Sequence, residues 1–105
     1  LVDAGFLALS RDRGTADMPV DWGYGAVCDA ISGEPIGGII VESTNQEHGI
    51  VTARSGEIDL SRFPVGGRVR ILPNHACATA AAHDLYRVTD GSERIVDVWD
   101  RVNGW

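Results

Sequence analysis

Apolar residues in this chain come in short runs, and each run is closed by a cluster of Gly, Pro, Asp or Ser. That spacing is the pattern of strands joined by turns. It predicts strands over residues 2–9, 23–29, 38–43, 48–54, 67–72, 85–89 and 94–101. Ser32-Gly33-Glu34-Pro35, Ser55-Gly56, Phe63-Pro64-Val65-Gly66-Gly67 and Asp90-Gly91-Ser92 supply residues that tolerate positive φ or preset a bend. In Arg68-Val69-Arg70-Ile71 polar and apolar residues alternate, so one face points inward and the other is wet. Pro73 then removes a ladder donor, and strand pairing is expected to end there. The helical signal is confined to residues 79–83, where alanines favour a helix and Thr79 stands where a cap is needed. The expected fold class is mainly β: a barrel- or sandwich-like domain with one short helical turn.

A length of 105 residues suits one domain, residues 1–105, with a single modest core. Its 44% apolar and 23% charged residues are ordinary for a globular protein. The formal net charge is -6 and no basic stripe is present, which argues against nucleic acid as a partner. The longest apolar runs, residues 37–41 and 77–82, fall well short of the roughly 20 residues needed to span a bilayer, so no membrane association is expected. No secretory signal is visible, and the chain opens on Leu1 rather than Met, as a cut through a longer protein would. Two cysteines, Cys28 and Cys77, do not make a disulfide framework, and a reduced, cytoplasmic protein is expected. All nine basic residues are arginine. The absence of lysine excludes a lysine Schiff base or lysine general base from this chain.

The segment Ile71-Leu72-Pro73-Asn74-His75-Ala76-Cys77-Ala78-Thr79 carries the candidate chemistry. In an extended chain His75 and Cys77 share one face, with Cα atoms roughly 6.6 Å apart. Imidazole nitrogen and thiolate sulfur bind zinc at about 2.0–2.1 Å and 2.3 Å, and the small Ala76 leaves room for that approach. Two protein ligands do not close a structural tetrahedron, so the pair points to an open, catalytic site whose remaining positions take water and substrate. Spacing alone leaves a second reading open, in which Cys77 is a small buried hydrophobe and His75 a hydrogen-bonded loop residue.

Other candidates read more simply as structural. His48, in Glu47-His48-Gly49, opens a strand beside a tight glycine position, and a third ligand or general base is the lesser reading. His83 beside Asp84 sits at a helix end, where an imidazolium complements the dipole. Cys77 with a histidine lacks the local signature of a cysteine hydrolase. Tyr24 is expected to pack, and Trp22, Trp99 and Trp105 to anchor a core or an interface.

Pro73-Asn74-His75-Ala76-Cys77 resembles the metal-binding motif of the D-serine dehydratase and D-threonine aldolase-like family, pyridoxal-phosphate enzymes of the alanine racemase-like fold type. Val2-Asp3-Ala4-Gly5 with Ala8-Leu9-Ser10, the Glu47-His48-Gly49 step, Val65-Gly66 with Val69, and the closing segment 99–105 stand in the matching order. The resemblance implies the C-terminal β domain of such an enzyme, without the (β/α)8 barrel that holds pyridoxal phosphate through a lysine. It carries His75 and Cys77 over as ligands of zinc or another divalent metal, and carries over no cofactor-binding or other catalytic residue. It further implies a small-molecule D-3-hydroxy amino acid substrate, a PLP-binding barrel domain as partner, a homodimer of the complete enzyme, and no activity of the isolated chain. Dehydration is the implied reaction, with D-threonine aldolase-type retro-aldol cleavage as the alternative. Aldolases of the family tend to carry a carboxylate at the position of Cys77, suited to harder ions, whereas a thiolate favours zinc. A noncatalytic β module serving as a subunit or dimerisation surface is the competing reading from a different class.

Overall fold

A computed structural model of the chain describes residues 1–102; Trp105 and the end of the segment 99–105 lie outside the described residues. Four strands, β1 (Gly25–Asp29), β2 (Pro35–Thr44), β3 (Gly49–Ala53) and β4 (Val69–Pro73), form an antiparallel sheet in the order β3-β2-β1-β4. A second antiparallel sheet is the hairpin of β5 (Leu85–Thr89) and β6 (Ile95–Asp100). One helix, α1 (Ala76–Ala81), and a 3-10 turn, Leu60–Arg62, complete the elements. The chain is mainly β, as the alternating pattern predicts, and its two sheets are open.

β1 lies in the middle of its sheet, with Ala26 opposite both Ile40 and Leu72. A central strand is covered by neighbours on both edges, and Ala26, Val27 and Cys28 are all buried. Leu9, Val27, Ile39 and Val41 form the core cluster, with Tyr24, Val51, Phe63, Val69 and Ile71 packed against it. Val69 and Ile71 thus take the inward face predicted for this strand. Its arginines point outward and tie the two sheets together: Arg70 donates to the Ser92 carbonyl at 3.3 Å, and Arg68 pairs with Glu93 at 2.6 Å. Gly33, Gly56, Gly66 and Gly91 each adopt positive φ, so the predicted turns form where glycine relieves the steric cost.

The predicted strand over residues 2–9 does not form. Only Val2 pairs, exchanging two 2.9 Å backbone hydrogen bonds with Gly49. The chain then turns at Gly5, whose carbonyl accepts from the amides of Ala8 and Leu9, and this drops Leu9 into the core. The approach requires Gly49, since a Cβ there would lie 2.6 Å from the Ala4 carbonyl oxygen. Burial of Leu9 in a turn, rather than pairing along an edge, is what wins over the alternating pattern.

The helix also departs from expectation. It begins at Ala76 rather than Thr79, with His75 as the extended residue before it, and Thr79 lies in its middle instead of capping it. Alanines at 76, 78, 80 and 81 extend helix propensity further toward the N-terminus than the 79–83 reading allows.

Candidate metal centre

β4 ends at Pro73, which lies opposite Gly25 in register, so strand pairing stops where proline removes the donor. Asn74 follows and is held firmly. Its backbone N–H donates to the Tyr24 carbonyl at 3.1 Å, and its side-chain amide donates to Thr15 Oγ1 at 2.8 Å and to the Gly23 carbonyl at 2.5 Å. His75 keeps the extended conformation, with φ -124° and ψ 103°. Cys77 lies in the first turn of α1 and is exposed.

This corrects the expected geometry. The chain is extended only as far as His75, so the pair does not occupy one face of a strand but flanks the strand-to-helix turn. The second reading of Cys77 as a buried hydrophobe does not hold either. Cys28 fills that role inside β1, and both thiols are unpaired.

His75 Nδ1 lies 2.5 Å from Asp12 Oδ2. The carboxylate accepts, so Nδ1 donates the proton of this bond, and in the neutral ring Nε2 then keeps its lone pair. Both side chains are partly open to solvent, 41% for His75 and 52% for Asp12. Asp12 is not legible as a site residue in the sequence, because it lies in the polar run Ser10-Arg11-Asp12-Arg13-Gly14, far from His75 along the chain. Only the turn at Gly5 and the burial of Leu9 bring it there.

The donor types suit a borderline metal: an imidazole whose Nδ1 meets Asp12, so that Nε2 is the candidate donor, and one exposed sulfur, on either side of Ala76. Among the described residues no three His, Cys, Asp or Glu side chains converge as a group able to hold a metal ion. Among the described residues, His75 and Cys77 could thus form at most an open, two-ligand site.

The remaining histidines are placed elsewhere. His83 Nε2 donates to the Ala8 carbonyl at 3.1 Å, which fastens the end of the helical segment to the N-terminal turn. His48 lies in the β2–β3 turn, 3.7 Å from Asp3. Tyr24 packs against the core cluster, as expected. Trp22 lies under the Arg54 guanidinium, 4.7 Å from its carbon, whereas Trp99 is exposed on β6 and contributes nothing to the core. Among the described residues no helix is long and apolar enough to cross a membrane.

The sequence profile of the family "Putative serine dehydratase domain" matches residues 1–89. The D-threo-3-hydroxyaspartate dehydratase of Delftia sp. (strain HT23) is 50% identical over 100% of this chain, which covers 28% of that enzyme. The D-serine dehydratase of Dictyostelium discoideum is 32% identical over 100% of the chain, which covers 26% of it. The chain thus spans about a quarter of the length of the curated relatives it matches. A solved structure of a His-to-Ala mutant of D-threo-3-hydroxyaspartate dehydratase superposes with a TM-score of 0.84 at 48% identity, over 98% of this chain and 27% of that one. A Cys-to-Ala mutant in the metal-free form gives 0.83 at 47% identity with the same coverage. In that enzyme the two substituted residues stand two positions apart, histidine first. With 89 of its residues matched and a common fold over nearly its whole length, the chain belongs to the serine dehydratase domain family.

Proposed function

We propose that this chain is the metal-bearing β domain of a D-3-hydroxy amino acid dehydratase, in which His75 and Cys77 hold a divalent cation, zinc by donor preference. One observation carries the reading. The sequence contains a single His-X-Cys, at His75 and Cys77, and a relative has alanine mutants at a His and a Cys with that spacing, the cysteine mutant being in a metal-free form. The exposure of Cys77 and the partial exposure of His75, whose Nδ1 rather than Nε2 meets Asp12, support it.

Bound zinc would act as a Lewis acid on the substrate's β-hydroxyl oxygen and make it a better leaving group. The part of this chain is to hold two ligands in place and leave the remaining coordination positions open. Asn74 supports this by fixing the chain immediately before His75 through three hydrogen bonds. Pyridoxal phosphate does not fit this chain covalently, since no lysine is present. Its anchor would stand on an alanine racemase-like barrel within the same protein, and a homodimer of that protein is the assembly the reading implies. Unpaired thiols at Cys28 and Cys77 favour a reducing, cytoplasmic setting. Dehydration is preferred over retro-aldol cleavage because a thiolate ligand selects zinc over harder ions, and because the curated relatives described above are dehydratases.

Cys77→Ser in the full-length protein tests the reading against a noncatalytic module. Zinc content and ammonia release from D-serine and D-threo-3-hydroxyaspartate are expected to fall together, activity by more than about 100-fold, beyond the loss usual for a supporting residue. Full zinc occupancy in that variant, or unchanged activity, refutes it.

A further inference from the structure

Residues 8–15 and 74–83 are stapled to each other in antiparallel order. Ala8 accepts from His83 at 3.1 Å, the Leu9 carbonyl accepts from the Thr79 hydroxyl, Asp12 meets His75 at 2.5 Å, and Thr15 accepts from Asn74 at 2.8 Å. Leu9 anchors one end of the first segment in the core. The other end is held through Thr15, which also accepts from the Trp22 amide at 2.9 Å, and by the 2.5 Å pair of Arg13 with Asp21. An isolated surface ion pair costs side-chain entropy and returns little. Asp12 differs, because the chain on both sides of it is fixed before its carboxylate is counted.

From this placement we infer that Asp12 is a positioning residue for the metal ligand His75: its carboxylate holds the Nδ1–H tautomer and fixes the ring so that Nε2 faces the cation. Imidazole ligands of metals commonly donate their second N–H to a carboxylate, which raises ligand basicity and sets ring orientation. Asp12 has no counterpart role toward Cys77, so the effect is confined to the nitrogen side of the site. The inference rests on the reading of His75 and Cys77 as ligands, and its test separates the two.

Zinc affinity of the metal-free full-length protein, measured by competition with a chromophoric chelator, is expected to fall about 10–100-fold in Asp12→Ala. Asp12→Asn keeps the side-chain shape and a neutral acceptor, so it is expected to fold like the wild type and to lie between the two. The thiolate-to-metal charge-transfer band of the cobalt-loaded protein is expected to persist in both, because Cys77 is untouched. A selectively 15N-histidine-labelled, metal-free sample at alkaline pH, where imidazole is neutral, reads the ring directly. The His75 signal, assigned by its loss in His75→Ala, should report protonated Nδ1 in the wild type and shift toward protonated Nε2 in Asp12→Ala. Wild-type zinc affinity in both Asp12 variants, or a ring that keeps its Nδ1 proton without Asp12, overturns the role. If His75→Ala and Cys77→Ser lose zinc while both Asp12 variants keep it, only this inference fails. If those two variants keep zinc as well, the metal-site reading itself fails.

Discussion

At the scale of single residues, hydrogen-bonded carboxylates that the sequence does not advertise tie residues 8–15 to the rest of the chain. Asp21 is one of them. Its carboxyl is held below the usual carboxylate range, first by the Arg13 guanidinium and then by the Gly23 N–H, with Thr15 adding a further contact. A carboxylate whose folded pKa is depressed stabilises the fold above its unfolded value and loses that contribution as pH falls through the folded one. Asp21→Asn should therefore lower the thermal midpoint at neutral pH. The difference should close once the pH is below the folded value of Asp21, where both states are protonated, and thermal melts of the two proteins across acid pH check it. His75 and Cys77 stand out in the sequence through the Pro73-Asn74-His75-Ala76-Cys77 motif and its family resemblance, since their spacing alone leaves a structural reading open. Asp12 and Thr15 do not stand out, since Asp and Thr in loops ordinarily serve turns, and Asn74 does so only as a member of that motif. Their roles arise from contacts across some sixty positions, which local pattern does not encode.

At the scale of elements, the pattern predicted the strands that pair through alternating faces and misjudged the segments whose conformation is decided by packing. β4 packs Val69 and Ile71 against the core as its alternation predicts, although Arg70 between them is also partly buried, and proline ends it as expected. The N-terminal segment resembles a strand by composition, yet Gly5 and Gly49 allow it to turn closely over the β2–β3 connection. Helix α1 begins earlier than predicted because the alanine run outweighs Cys77, a weaker helix former. The helix is short and owes its place to tertiary ties, Thr79 to the Leu9 carbonyl and His83 to the Ala8 carbonyl. Thr79→Val, which keeps the shape and removes the donor, should cost about 1 kcal/mol in denaturant unfolding. Gly49→Ala, which puts a methyl group 2.6 Å from the Ala4 carbonyl, should cost about 1–3 kcal/mol by the same measurement.

At the scale of the whole molecule, the described core is small. Seven apolar residues are buried, while large apolar side chains such as Tyr86, Ile95, Val96, Val98 and Trp99 are exposed on the β5–β6 hairpin. Exposed apolar surface of that kind fits a domain that covers only about a quarter of the length of its curated relatives. The chain produced alone should accordingly bind a hydrophobic dye more strongly, per domain, than the full-length protein does, and fluorescence titration of the two compares them. The central claim, that His75 and Cys77 jointly hold a metal, is tested most directly by diffraction at the zinc absorption edge from crystals of the zinc-loaded full-length protein. An anomalous peak about 2.0–2.1 Å from His75 Nε2 and 2.3 Å from Cys77 Sγ is the predicted result. A zinc peak held by other residues, with these two side chains directed away from it, would contradict the account.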